Sequence, residues 1–225
     1  MILTAILASA ATFSSQAQGA GSRDVDLDHI IIAVPSLKEG IRELAARTGV
    51  TAVVGGQHPG RGTENALASL GSGHYLELLA PTAAADSATG GPKRGLRLVG
   101  WAVHTRALPD VIGRLKAAGF QVSDMTPGSR RKPDGAMLSW RTAGLEGDEL
   151  PLAPFVIEWG AGVAHPSTTS PAGCRLVRMT LETADSTRLS RFFAAIGHDV
   201  TVRSGRAERM QVELACPKGS VTLTS

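Results

Sequence analysis

The feature that most constrains this chain is a supersecondary unit that recurs three times along it, a strand followed by a helix and three more strands. The first copy opens with the β-branched run Leu27–Val34, which Pro35-Ser36 closes. Ser36 is placed to cap a helix in which Leu37, Ile41 and Leu44 fall at helical spacing, and Gly49 supplies a left-handed stop. Val50–Val54, Asn65–Leu70 and His74–Leu79 then read as short strands between Gly-rich turns. The second copy runs from Leu98–His104 through a helix carrying Leu108, Ile112 and Leu115 to Gly119, then Phe120–Val122, Ala136–Arg141 and Phe155–Trp159. The third starts at Leu176–Glu182, continues through Leu189, Phe192, Phe193 and Ile196 to Gly197, and ends with Val200–Arg203, Met210–Leu214 and Val221–Thr224. Thr82–Pro92 and His165–Gly173, rich in small residues and proline, read as linkers. An α+β chain of repeated βαβββ modules is expected.

Composition narrows the function classes. With 43% hydrophobic and 19% charged residues of both signs, 225 residues can bury a core without metal or disulfide staples. The excess of 23 Lys and Arg over 20 Asp and Glu is too small and too scattered for a nucleic-acid footprint. It gathers weakly at Lys93-Arg94, Arg130-Arg131-Lys132 and Arg203–Arg209, as solvated loop charge or as a rim attracting an anionic small molecule. Residues 1–24 contain a short apolar run, Ile2–Phe13, followed by Ser15-Gln16-Ala17; this resembles a signal peptide without its basic start. Cytoplasmic and exported (periplasmic) locations both stay open, and no later segment is apolar for long enough to span a membrane. Cys174 and Cys216 fit no zinc or redox spacing; two buried free thiols are expected, with one disulfide the alternative. Nucleophile elbows, phosphate loops and dinucleotide fingerprints are absent.

What remains is a set of polar side chains set in apolar strands, where burial is costly unless the group is paired or ligates a metal. His29 sits mid-strand, Glu77 lies between Leu76 and Leu78, and Glu158 occupies the same slot in Ile157-Glu158-Trp159. Imidazole nitrogen and carboxylate oxygen suit Zn, Mn, Fe or Ni; a wet sheet face or an Arg ion pair is the competing explanation for each acid.

Leu27-Asp28-His29-Ile30, the segment Gly55-Gly56-Gln57-His58-Pro59-Gly60-Arg61-Gly62-Thr63-Glu64-Asn65-Ala66-Leu67, Tyr75-Leu76-Glu77-Leu78, and Pro154–Trp159 with His165-Pro166-Ser167 together resemble the glyoxalase-like domain family of the vicinal oxygen chelate superfamily. The resemblance spans about residues 25–170, leaving 174–225 as a third, degenerate module. It implies paired modules curled into a mixed sheet around a central pocket, and a divalent metal acting as Lewis acid on a substrate with two adjacent oxygens. It makes His29, Glu77 and Glu158 metal ligands. The fourth ligand position falls near Val99 and Gly100, with His104 further along, so His58 or His165 would have to complete the set. It makes His58 a ligand or general acid/base, Glu158 a catalytic acid, and Asn65 an orienting amide. Arg130 and Arg131 would clamp a substrate carboxylate, and Trp140 and Trp159 would wall the pocket. His74 and His198 read as surface residues. The function implied is a metal-assisted lyase, isomerase or dioxygenase-type enzyme, or else a non-catalytic binding protein of the same fold. A homodimer could supply the third module's neighbouring sheet.

Overall fold

The computed structural model describes residues 24–58, 60–71, 73–82, 95–147 and 150–225. The signal-like segment and Lys93-Arg94 lie outside the described residues. The first unit is β1 (Val25–Ala33), α1 (Leu37–Thr48), β2 (Val53–His58), β3 (Thr63–Gly71) and β4 (His74–Pro81). The second is β5 (Arg97–Thr105), α2 (Leu108–Ala117), β6 (Thr126–Arg131), β7 (Met137–Ala143) and β8 (Phe155–Trp159). A short helix, α3 (Pro166–Thr169), leads to β9 (Arg175–Thr183), α4 (Ser186–Ile196), β10 (Thr201–Ser204), β11 (Arg209–Cys216) and β12 (Gly219–Thr224).

The helix signals act as their chemistry suggests. The Ser36 hydroxyl accepts the Glu39 N–H at 3.3 Å, and Gly49 closes α1 at φ 81°. Where β6 was expected at Phe120–Val122, only Val122 makes an isolated bridge, to Leu145; the strand itself starts at Thr126. Phe120 is instead buried in the core.

Units one and two form one eight-stranded sheet in the order β2-β3-β4-β1-β5-β8-β7-β6. In each unit the first strand runs parallel to the last, β1 with β4 and β5 with β8, and the two units join through antiparallel β1 and β5. The sheet curls until its edges β2 and β6 meet, so close that a Cβ on Gly56 would lie 2.5 Å from the Arg131 carbonyl oxygen. The fold is the curled, nearly closed mixed sheet expected of the repeat.

The third unit keeps the element order but not the pairing. Its four strands run β10-β9-β11-β12, with β9 parallel to β10 across the helix and antiparallel to β11. Its apolar side finds a neighbour within the chain: Phe192 and Phe193 of α4 meet Phe120 and Trp101 at ring distances of 5.6 and 5.7 Å. Lys218 reaches the Ala45 and Ala46 carbonyls at the end of α1. Its other side carries the Arg178–Glu213 and Arg209–Glu182 ion pairs. The expectation of two free thiols is corrected: Cys174 and Cys216 form a disulfide, the alternative left open. Adjacent strands β9 and β11 bring the two ends of a 42-residue separation side by side, a proximity that spacing alone does not reveal. Among the described residues no helix is long and apolar enough to cross a membrane.

Candidate functional site

The concave side of the eight-stranded sheet encloses a cavity of about 860 Å³. Strand alternation decides what enters it. On β4, Tyr75, Glu77 and Leu79 face the cavity, while Leu76 and Leu78 pack into the core beneath the helices. On β8, Phe155, Ile157 and Trp159 face it. A groove of about 900 Å³ between the start of β1 and the third unit is slightly larger, but none of the expected site residues lines it.

A connected polar cluster forms one wall. The Asn65 amide donates to Glu77 Oε1 at 2.6 Å, and Arg130 Nη1 donates to Asn65 Oδ1 at 2.9 Å. Gly55 makes room for this bond, because a Cβ there would fall 1.9 Å from Arg130 Nη1 and 2.4 Å from Asn65 Oδ1. His29 Nε2 lies 3.5 Å from Glu77 Oε2, and His58 Nε2 lies 3.7 Å from Glu77 Oε1. Both imidazoles thus converge on opposite oxygens of one carboxylate. His58 Nδ1 is within 3.0 Å of the Thr63 hydroxyl.

Behind His29 sits Asp28, fully buried. Regular alternation would send Asp28 to the opposite face of β1. Between Leu27, opposite Val103, and His29, opposite Ala102, it is instead the extra residue of a β-bulge, with no partner of its own on β5. The bulge lets Asp28 Oδ1 reach His29 Nδ1 at 2.6 Å, while Oδ2 accepts from Trp159 Nε1 at 2.8 Å and contacts His165 Nε2 at 3.0 Å. The His165 ring is fixed in turn by Ser167, whose hydroxyl lies 2.8 Å from Nδ1.

Burial works against ionisation of Asp28, but the hydrogen bonds from His165 and His29 outweigh it and hold the carboxyl well below the usual range. Burial likewise disfavours imidazolium at His29, yet its hydrogen bond to Asp28 and the charges of Asp28 and Glu77 prevail and raise its pKa. At His58 burial wins over the charge of Glu77, and the pKa falls. Burial also raises the Tyr75 hydroxyl, which faces Asp28 and Glu77. Arg130 is pulled down by burial and partly restored by Tyr75 and Glu77.

Of the expected site residues, the cavity gathers His29, Glu77, His58, Asn65, Arg130, Trp140 and Trp159. Two expectations are corrected by strand parity. Glu158 lies between the inward Ile157 and Trp159, outside the cavity lining, and pairs with Arg141 on β7. Arg131 is exposed and donates to the Gly135 carbonyl, whereas its neighbour Arg130 is buried and lines the cavity. The expected fourth ligand position is corrected as well. Val99 is exposed, Ala102 is what stands opposite His29, and His104 binds the Leu27 carbonyl at 3.1 Å. Asp28 and Tyr75 had no assigned role. Asp28 adjoins His29 in sequence, but nothing in the sequence marks the bulge that turns it inward.

Glu158 is thus not brought to His29 and Glu77, and the three do not converge as one ligand set. Glu77 Oε1 accepts the Asn65 amide, His29 Nδ1 is held by Asp28, and the two free atoms face each other as an ion pair. Among the described residues no group of three or more His, Cys, Asp or Glu side chains is disposed to hold a metal ion. The donors present do not fit the Zn, Mn, Fe or Ni ion that the resemblance implied.

The family model described as Glyoxalase-like domain matches residues 27–197. No curated protein matches the chain. A hypothetical protein from Staphylococcus aureus superposes with a TM-score of 0.61 at 14% identity, covering 89% of this chain and 85% of that one. Methylmalonyl-CoA epimerase from Mycobacterium tuberculosis aligns with a TM-score of 0.45 at 24% identity, over 61% of this chain and 91% of its own.

Proposed function

This chain belongs to the glyoxalase-like domain family, and from that premise we propose that it is a lyase or isomerase that moves a proton on a small substrate with adjacent oxygens. The observation that carries this reading is the convergence of His29 and His58 on opposite oxygens of Glu77 inside the cavity. Their surroundings push their pKa values in opposite directions, the pattern that separates an acid from a base.

Neutral His58 is the general base. With Nδ1 donating to the Thr63 hydroxyl, the Nε2 lone pair is the basic site; it accepts a long contact of 3.4 Å from the Asn65 amide, which substrate would displace. It takes a proton from the carbon beside the carbonyl; the C–H electron pair forms a C=C bond, and the carbonyl electrons move onto oxygen. The His29 imidazolium stabilises that oxyanion. Asp28 keeps His29 charged and oriented. Returning the proton completes an isomerisation; expelling a group from the next carbon completes an elimination. Asn65 holds Glu77 and Arg130 in register. No step requires a metal.

The test is deuterium exchange at C3 of pyruvate and phenylpyruvate in D₂O, followed by proton NMR. Exchange above the spontaneous rate that falls by about 10²–10⁴ in His58→Ala supports the reading. Exchange at the spontaneous rate with both probes contradicts it. A second reading, a binding protein without chemistry, is favoured by the closed Arg130–Asn65–Glu77 chain, in which each group already has a partner. Tight binding of a probe without exchange would support that one.

A further inference from the structure

The cavity's second wall identifies its ligand further. The chain has only three Trp, one Tyr and five Phe. Tyr75, Trp140, Phe155 and Trp159 line this one cavity. Trp101, Phe120, Phe192 and Phe193 are sealed in the core, each at most 4% exposed. Trp140, Phe155 and Trp159 are only partly buried, and all three line the cavity. Trp140 and Trp159 pair edge to face at 5.5 Å. The backbone is shaped around them, for a Cβ on Gly128 of β6 would stand 2.2 Å from Trp140 Nε1. A glycine here lets the indole lie flat along β6.

Arg130 faces the same space. It is 3% exposed and lines the cavity, and its one hydrogen bond among the described residues runs from Nη1 to Asn65. That bond takes one of the five guanidinium N–H donors, and no second hydrogen-bond partner for Arg130 is found among the described residues. Arg61 adds a second positive charge to the lining. A guanidinium with donors to spare, lining the same cavity as these rings, suits a carboxylate carried on a flat ring.

We propose that the ligand is an aryl carboxylate or aryl 2-oxo acid, its ring between Trp140, Phe155 and Trp159 and its carboxylate on Arg130. The volume admits one or two rings. The inference rests on the reading of this cavity as the substrate site, but it is tested by affinity rather than turnover.

Tryptophan fluorescence and calorimetry should follow titration of the full chain with phenylpyruvate, pyruvate and 2-phenylethanol. Phenylpyruvate is expected to bind at least about tenfold tighter than either of the others, which lack the ring or the carboxylate. Arg130→Met should weaken phenylpyruvate about 10- to 100-fold and leave 2-phenylethanol within a few-fold. Trp140→Leu should weaken phenylpyruvate about tenfold and leave pyruvate unchanged. Arg130→Lys, which keeps the charge but not the planar fork, should fall between wild type and Arg130→Met. Pyruvate binding as tightly as phenylpyruvate, or Arg130→Met binding phenylpyruvate like wild type, overturns the proposal. Proton exchange on pyruvate without a preference for the ring would remove this inference and leave the proton-transfer reading standing. Aryl binding without exchange would do the reverse.

Discussion

Units one and two share their element order and their strand pairing, yet they furnish opposite halves of the cavity. Unit one contributes His29, His58 and Glu77, the groups that can move a proton, and Asn65, which holds Glu77 and Arg130. Unit two contributes Trp140, Phe155, Ile157 and Trp159, with Arg130 its single charged residue in the lining. At the sheet positions where unit one carries its acid and its imidazole, unit two offers only apolar groups, and its one nearby acid, Glu158, is turned outward to Arg141. On the proposed function, two units of the same topology form one cup with a reactive wall and a binding wall.

The largest expected effect breaks that division from the reactive side. His58→Ala should lower probe exchange by about 10²–10⁴ while phenylpyruvate affinity stays within a few-fold; equal losses in both would mean the walls are not separate. Comparable in free energy, but in stability alone, is the Cys174→Ser, Cys216→Ser double variant. Opening a loop of 42 residues should cost about 4 kcal/mol by denaturant unfolding, and the walls should keep their relative roles if it remains folded. Gly128→Ala sharpens the comparison from the binding side. The new Cβ meets the Trp140 indole, so a loss of about 1–3 kcal/mol in stability and weaker aryl binding are expected, with pyruvate exchange preserved.

Asp28→Asn tests the support behind the reactive wall through pH. A raised His29 pKa stabilises the fold fully below the ordinary imidazole value, and that stabilisation is lost as pH rises through the higher folded value. The depressed Asp28 pKa stabilises above the ordinary carboxylate value and is lost on acidification toward the folded one. The wild-type advantage over Asp28→Asn should therefore be greatest between these two limits and shrink on either side, read from urea midpoints across pH. The smallest effect belongs to Glu158→Gln. Its pair with Arg141 is largely exposed on the Arg side, so stability should change by less than about 1 kcal/mol and exchange not at all. A large loss of exchange would return Glu158 to the site.

Much of this was legible because the relevant signals are local. The β-branched runs, the 3.6-residue spacing of Leu37, Ile41 and Leu44, and Gly49, Gly119 and Gly197 mark strands, helices and their ends. His29 and Glu77 stood out as polar groups within apolar runs. What failed depends on which face of a strand turns inward. Leu76-Glu77-Leu78 and Ile157-Glu158-Trp159 look alike, but register places Glu77 in the cavity and Ile157, not Glu158, at the inward position of β8. The same one-residue parity separates Arg130 from Arg131. Asp28 was hidden because a bulge breaks alternation at that residue. The third unit repeats the element order, but pairing β9 with β10 rather than with its last strand is a tertiary choice that order does not encode.

The opposed protonation of His29 and His58 across Glu77 can be observed directly. Histidine carbon and nitrogen NMR titration of the wild-type protein, assigned with His29→Gln and His58→Gln, reads both rings in one sample. The structure predicts that His58 is neutral over a pH range where His29 is still imidazolium; His58 remaining charged to higher pH than His29 would contradict the account.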